Sequence, residues 1–138
     1  MIGLDTNVLA RYYIRDDSGA QAAKQRQAAK TLMESGVPLM VCKTVLLELE
    51  WVMRGYYDFS SQEIAKALNH LLSLPNVTIE ERESVLQAMS HAAVGLDFAD
   101  AMHHSSYRYC DSIASFDDKK FARRARRLGL SPGVTVPS

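Results

Sequence analysis

Short apolar runs alternate along this chain with segments of helical composition, and this alternation restricts the fold more than any other feature. Five runs are predicted as strands, at residues 2–4, 37–41, 77–79, 112–115 and 134–136. Because a helical segment separates each strand from the next, the strands are expected to pair in parallel through helical crossovers. The sequence therefore predicts an α/β domain with a mainly parallel sheet of about five strands.

The segments between the strands are predicted as helices. They cover residues 8–14, 20–34, 44–53, about 60–74, about 85–95 and 119–128, with a further helix opened by Asp97. Residues 15–19 and 55–58 are predicted to interrupt them. Thr44 is the predicted N-cap of the third helix, and Ser60 and Glu63 have the spacing of a capping box.

The length of 138 residues predicts a single domain over residues 1–138. No apolar run reaches the roughly 18 residues that cross a membrane, and Asp5 and Asn7 interrupt the apolar stretch that a signal peptide needs. Cys42 and Cys110 lack metal-binding spacing, so we expect buried, reduced thiols in a cytoplasmic protein. The histidines are expected at the surface or partly packed: His70, His91, His103 and His104.

Asp5 is the first candidate site residue. It follows the first strand and precedes a helix, and open α/β sheets bind ligands at the carboxyl ends of their strands. Asp117 repeats this order of strand, small hydroxyl and acid after the fourth strand. An aspartate at such a point also caps helices, because its side chain accepts hydrogen bonds from free first-turn amides.

Further acidic candidates stand on helices. Glu48 and Glu50 fall on opposite margins of the apolar stripe of the helix at 44–53, so periodicity does not choose between them. Asp97 is suited to cap the helix that it opens, and Asp100 lies three residues further on the same face. Acids in a first turn also stabilise the helix dipole, so a purely structural role for Asp97 and Asp100 is the alternative.

Several carboxylates that meet at one sheet edge need a counter-charge. Two unit charges 4 Å apart repel by about 4 kcal/mol at an effective dielectric near 20. Such acids are either partly protonated or hold a divalent cation. A ligand set of oxygens, without Cys or His, favours Mg²⁺ or Mn²⁺ over zinc. These ions bind phosphate oxygens and activate water, which indicates hydrolysis of a phosphodiester.

A basic segment near the C-terminus indicates a nucleic-acid substrate. The formal net charge is zero, yet cations are concentrated at Lys119, Lys120, Arg123, Arg124, Arg126 and Arg127. A phosphate backbone that is repelled by acids needs nearby cations to bind it. The alternative is an ordinary solvated helix face, which is usually charged.

Four segments together resemble the PIN-domain ribonucleases, and most closely the VapC-type toxins of bacterial toxin–antitoxin pairs. They read IGLDTNVL at 2–9, VLLELEWVMR at 45–54, DFADA at 97–101 and SFD at 115–117, in the family's order over essentially the whole chain. The resemblance implies a three-layer α/β/α domain and a Mg²⁺- or Mn²⁺-dependent endoribonuclease. Ser115 departs mildly from the family's common threonine but retains its hydroxyl.

The resemblance also assigns the site. The family's acidic set falls on Asp5, Glu48, Asp100 and Asp117. Asp5 and Asp100 are then the principal metal ligands, Asp117 completes the metal pocket, and Glu48 orients metal-bound water or assists coordination. The family thereby prefers Glu48 to Glu50, Asp100 to Asp97 and Asp117 to Asp118. Supporting contacts to the carboxylates or the scissile phosphate are expected from Thr6, Asn7, Ser115 and, behind them, Asp97.

The expected partners follow from the same resemblance. They are an RNA substrate, a second copy of the chain in a homodimer, and a small VapB-like antitoxin whose C-terminal segment enters the acidic pocket with an arginine or lysine. RNA is expected to contact Lys119, Lys120, Arg123, Arg124 and Arg127. One alternative is a catalytically silent PIN fold that binds RNA or protein. Another is a phosphatase or phosphoacceptor at Asp5, which Asn7 disfavours because a phosphatase has a second aspartate there.

Overall fold

The computed structural model describes residues 1–16 and 18–138, so Asp17 in the predicted interruption at 15–19 lies outside the described residues. The chain forms two compact units, residues 1–81 and 82–138. Within the described residues there are seven α-helices and five short strands, and every strand pair is parallel. The predicted α/β class is therefore confirmed, whereas the single domain stays a prediction.

The first unit is built on a three-stranded sheet in the order β1–β2–β3. These strands are Ile2–Gly3, Leu39–Val41 and Val77–Ile79. Leu39 and Val41 of the central strand are completely buried. On the edge strand, Ile2 and Gly3 are exposed and only the following Leu4 is buried. The run predicted as the first strand therefore forms an exposed edge strand of this sheet.

Four α-helices accompany this sheet, within about two residues of the predicted bounds. They are α1 at Thr6–Tyr13, α2 at Ala20–Met33, α3 at Lys43–Trp51 and α4 at Ser61–Ser73. α1 contacts both α2 and α3. Leu9, Leu49 and Leu71, from α1, α3 and α4, are completely buried and form the core. A π-helical turn at Val52–Tyr56 extends α3 into the segment that was predicted to begin a turn at Gly55.

Hydrogen bonds at the helix starts explain where α3 and α4 begin. The predicted capping box is confirmed, since Glu63 N–H donates to Ser60 Oγ at 3.1 Å and Ser60 N–H donates to Glu63 Oε1 at 2.9 Å. The predicted Thr44 cap is wrong, because Cys42 is the N-cap of α3. Glu80, which follows β3, accepts the Lys43 N–H at 2.8 Å. It thereby provides the acceptor for the first amide of α3 from the end of a different strand.

The second unit contains two strands and three α-helices. They are α5 at Arg82–Ala93, α6 at Phe98–Ser106, β4 at Ser112–Ala114, α7 at Arg123–Leu128 and β5 at Gly133–Thr135. Ile113 of β4 pairs with Val134 of β5, and both are buried. The predicted helix at 119–128 is divided into a π-helical turn at Asp118–Ala122 and α7. Gly129 ends α7 in the left-handed conformation, at φ 65°.

The histidine prediction is wrong for His104, which is only 1% exposed. Its Nε2 lies 2.9 Å from the Pro132 carbonyl oxygen, which can only accept, so Nε2 carries the proton. The rings of His91 and His104 meet edge to face with their centroids 5.6 Å apart. Burial lowers the pKa of His91, and His104 lowers it further. A neutral His91 imidazole therefore suits the packing of α5 on α6.

The remaining sequence-based expectations concern thiols and membranes. Both cysteines are free, but Cys110 is exposed and Cys42 is half-buried, so the expectation of buried thiols is wrong for Cys110. Over residues 1–16 and 18–138, no helix is both long and apolar enough to span a bilayer.

The capping box predicts a measurable loss of stability. Ser60→Ala removes the side-chain acceptor of the Glu63 N–H, and we expect the free energy of unfolding to fall by about 1 kcal/mol. Ser61→Ala is the matched control, since Ser61 is an exposed helical residue, and it should stay within about 0.5 kcal/mol of the parent. Urea unfolding measures both, and equal effects of the two substitutions would contradict the assigned cap.

Candidate active site

The predicted acidic set is divided equally between the two units. Asp5 and Glu48 belong to residues 1–81, whereas Asp100 and Asp117 belong to residues 82–138. Asp5 and Asp117 lie between a strand and the helical segment that follows it, and Asp100 lies in the first turn of α6. Glu48 lies within α3.

Asp5 is the N-cap of α1, which confirms the capping interpretation of this residue. Its Oδ1 accepts the Thr6 N–H at 2.8 Å, and the side chain is exposed. Because the cap uses only one carboxylate oxygen, capping is compatible with a ligand on the other. Thr6 Oγ1 is buried and has no hydrogen-bond partner among the described residues. Asn7 is exposed in the first turn of α1.

The two glutamates of α3 have different surroundings. Glu50 is 5% exposed, and both of its carboxylate oxygens accept from Arg54 Nε, at 3.2 and 3.0 Å. A buried carboxylate needs such a partner, so Glu50 has a structural role. Glu48 is exposed, on a helix that contacts α1. The choice that periodicity left open thus favours Glu48 as the available acid, and its catalytic role stays a prediction.

Three acids of the second unit are electrostatically coupled, and we name Asp97, Asp100 and Asp117 the acidic cluster. Asp97 is the N-cap of α6 and accepts the Asp100 N–H at 3.4 Å. Burial raises the pKa of Asp100, and the charges of Asp97 and Asp117 raise it further. His103 and Arg124 act in the opposite direction. The charges of Asp97 and Asp117 therefore reach Asp100, and the role of these acids as one site stays a prediction.

The segment after β4 fixes the position of Asp117. Ser115 N–H donates to the Thr135 carbonyl oxygen at 2.9 Å, which extends the pairing of β4 with β5 by one residue. Ser115 Oγ accepts the Asp117 N–H at 3.0 Å, and Asp117 Oδ1 accepts the Lys120 N–H at 3.0 Å. Ser115 thus supports Asp117 through its backbone, whereas a contact with a carboxylate or phosphate was expected.

The basic segment contains two kinds of cation. Lys119, Lys120 and Arg123 are exposed. Arg124 is half-buried, and its charge lowers the pKa of Asp100. The Arg127 guanidinium lies over Gly95, where an added Cβ would be 3.5 Å from Nη2. Arg126 pairs with Asp118 at 4.0 Å, and both side chains are exposed. The segment is therefore more than a uniform solvated face, since Arg124 acts on the acidic cluster.

The donors of the acidic cluster suit a hard cation. Counting only residues 1–16 and 18–138, no three His, Cys, Asp or Glu side chains are grouped to hold a metal ion. Burial raises the pKa of Asp100, and the charges of Asp97 and Asp117 add to this effect. A divalent cation relieves such repulsion, and carboxylate oxygens favour Mg²⁺ or Mn²⁺. The chemistry of these residues fits either ion.

Comparison with known proteins identifies one family model that matches the chain. The model is described as PIN domain, and it matches residues 2–127. This range includes residues of both units and all four acids of the predicted set. No curated protein matches the sequence.

The coupling within the acidic cluster predicts how the Asp100 pKa responds to its neighbours. Asp97→Asn, which keeps a capping side chain, and Asp117→Asn should each lower this pKa, because each removes a nearby negative charge. The pKa should remain above 3.8, since burial is the largest cause of the shift. Carboxyl-carbon NMR titration measures it. Asp111→Asn, at an exposed aspartate of the same unit, should leave it unchanged, and no response to either cluster variant would contradict the coupling.

Proposed function

Since the chain belongs to the PIN-domain family, whose members are generally nucleases, we propose that it is a Mg²⁺- or Mn²⁺-dependent endoribonuclease. We propose further that it acts in the cytoplasm as the VapC-type toxin of a toxin–antitoxin pair. The observation that carries the nuclease proposal is the acidic cluster beside the basic segment of the second unit. One group of residues suits a metal, and the other suits a phosphate backbone.

In this proposal Asp5 and Asp100 hold the cation, Asp117 completes its pocket and Glu48 orients the attacking water. The bound ion supplies Lewis-acid stabilisation of charge on the scissile phosphate. The chain's own part is to keep Asp100 and Asp117 in place through the Asp97 cap and the Ser115 hydroxyl. Arg124 is placed to balance charge near Asp100, and Lys119 and Lys120 are exposed to contact flanking phosphates.

The antitoxin and the homodimer are proposed from the family resemblance. A cavity of about 630 Å³ in the first unit supports the antitoxin proposal. Apolar groups line it, among them Val8, Ile14 and Leu32, together with Asn7 and Arg11. An apolar segment of a small antitoxin suits such a surface, and a basic residue at its end would neutralise exposed carboxylates in place of metal. Copurification of the antitoxin with this chain tests the pairing.

Loss of the Asp100 carboxylate should abolish cleavage without loss of the fold. Asp100→Asn should slow RNA cleavage by more than about 100-fold, since even residues that only support a metal ligand typically contribute 10- to 100-fold. Circular dichroism and RNA binding should stay at parental levels. Asp111→Asn makes the same chemical change at an exposed site and should keep full activity. If Asp100→Asn cuts RNA as fast as the parent, the assigned mechanism is wrong, and a silent RNA-binding module becomes the better interpretation.

The exposed cations should determine the salt dependence of RNA binding. Replacing Lys119, Lys120 and Arg123 by Gln should reduce the slope of log Kd against log salt by roughly 2, since each phosphate contact with a single strand contributes about 0.7. Arg124 stays intact in this variant because its charge acts on Asp100.

The matched control removes the same charge from the first unit. Lys24, Lys30 and Lys66 are exposed, and their replacement by Gln should leave the slope within error of the parent. Fluorescence anisotropy measures the salt slope of both variants, with Asp100→Asn also present so that the RNA is not cleaved. Equal slopes for the two triple variants would show that the basic segment does not contact RNA.

A further inference from the structure

A second cavity of the first unit, with a volume of about 400 Å³, is lined largely by cations. It extends along α2 and includes residues of the segment that precedes this helix. Its charged lining residues are Arg15, Asp16, Arg26 and Lys30. Ligand sites in proteins usually have volumes of about 300–1,000 Å³, so this cavity has room for a small molecule.

Asp16 brings negative charge to this cavity, but other groups already use its carboxylate. Its Oδ2 lies 3.5 Å from Arg11 Nη1 and accepts the Tyr57 hydroxyl at 3.2 Å. Its Oδ1 accepts the Ser18 N–H at 3.0 Å. Hydrogen bonds with Ser18 are the main cause that lowers the pKa of Asp16. Asp16 therefore balances the charge of Arg11, which does not line this cavity.

The three cations of the cavity have no such partner. Among the described residues, none forms an ion pair or a side-chain hydrogen bond with Arg15, Arg26 or Lys30. Arg15 and Lys30 are exposed, whereas Arg26 is half-buried. Removing a charged group from water costs free energy unless a partner replaces the water. Arg26 therefore lacks a counter-charge, and an anion in the cavity would supply it.

The spacing of residues on α2 concentrates this charge along one side of the helix. Gly19, Ala23, Arg26 and Lys30 follow one another at intervals of four, three and four residues, and all four line the cavity. Residues with these intervals are neighbours on a helix surface. Like charges four residues apart, as at Arg26 and Lys30, destabilise a helix. Helix stability therefore does not explain why both positions are cationic.

The cations suit linked phosphate groups. A guanidinium donates two parallel hydrogen bonds to a phosphate, and a lysine ammonium binds phosphate as a point charge. Side chains four residues apart on a helix have Cβ atoms about 5–6 Å from one another, so Arg26 and Lys30 can contact successive phosphates of one molecule. An anion with a single charge would leave two of the three cations unbalanced.

We propose that the cavity along α2 binds an oligophosphate, which is either inorganic or the phosphate chain of a nucleotide. Arg15, Arg26 and Lys30 are the binding residues. They belong to the first unit, whereas the acidic cluster and the basic segment belong to the second. This inference does not depend on the proposed nuclease function, and either can fail without the other.

Isothermal titration calorimetry tests the site with inorganic tripolyphosphate and with ATP, in buffer without divalent cations. The full chain carries Lys119→Gln, Lys120→Gln and Arg123→Gln as a common background, so that these exposed cations of the basic segment do not bind the probe. We expect each chain to bind one tripolyphosphate. Binding of ATP at least as tight as that of tripolyphosphate would assign the site to nucleotides, and weaker binding of ATP would assign it to inorganic oligophosphates.

Variants of the cavity identify the binding residues. Arg15→Gln and Arg26→Gln should each weaken binding by about tenfold, the order expected for loss of one hydrogen bond between charged groups. Lys24→Gln is the matched control for Lys30→Gln, because Lys24 is an exposed lysine of α2 that does not line this cavity. Lys24→Gln should keep the background Kd, whereas Lys30→Gln should raise it. Thermal unfolding without ligand should show that all four variants remain folded.

Three results would overturn the site. They are absence of binding by both phosphate compounds, equal Kd values for Arg26→Gln and Lys24→Gln, and binding of citrate as tight as that of tripolyphosphate. Citrate carries carboxylates but no phosphate, so it separates phosphate recognition from general attraction of anions. Displacement of tripolyphosphate by a single-stranded RNA oligonucleotide would also overturn the proposal, because the cavity would then be a contact for the RNA backbone.

Discussion

Parallel pairing of very short strands is the constraint on which the rest of this structure depends. Parallel neighbours cannot be joined by a tight hairpin, so helices must connect them. In the first unit all three strands therefore end at the same edge of their sheet. The residues that follow β1 and β3 use their carboxylates to begin helices, Asp5 for α1 and Glu80 for α3. Strand order thus decides where acidic side chains accumulate.

The second unit repeats this arrangement with a greater concentration of charge. When folding raises the pKa of an acid, the folded state becomes less stable as pH rises from the unfolded pKa through the folded pKa. The Asp100 carboxylate is such a group, because burial and two neighbouring acids oppose its ionisation. Helix capping explains Asp97, but capping alone does not require a second and a third acid nearby. Charged groups that destabilise the folded state are typical of functional sites, and a bound cation would remove this destabilisation.

Local patterns in the sequence predicted the features that depend on local interactions. The capping box at Ser60 and the Asp97 cap both involve partners three residues apart, and both are confirmed. The N-cap of α3 was assigned to the wrong residue, and the acceptor of the Lys43 amide, Glu80, lies 37 residues away in sequence. The burial of His104 was missed for the same reason, since Pro132 is 28 residues distant.

The candidate site shows the same difference between local features, which the sequence predicts, and features that depend on distant residues. A signal for Glu50 was present in the sequence, because Arg54 stands four residues later and i,i+4 pairs of this kind are common on helices. The sequence contained no signal for the exposure of Phe116, because an apolar residue before an acid suits a buried position equally well. The set of Asp5, Glu48, Asp100 and Asp117, with Asp97 behind it, stays a prediction, although the charges of Asp97 and Asp117 do act on Asp100. A cation shared by Asp5 and Asp100 stays a prediction.

Double-mutant analysis of Mn²⁺ binding tests that shared cation most directly. Electron paramagnetic resonance of free Mn²⁺ gives the affinity of the parent, Asp5→Asn, Asp100→Asn and the double variant. If both carboxylates hold one ion, each single variant should weaken binding by about tenfold or more, and the double variant should lose much less than the sum of the two effects. Additive losses, or binding that is unaffected by Asp5→Asn, would contradict a shared cation and with it the proposed metal-dependent cleavage.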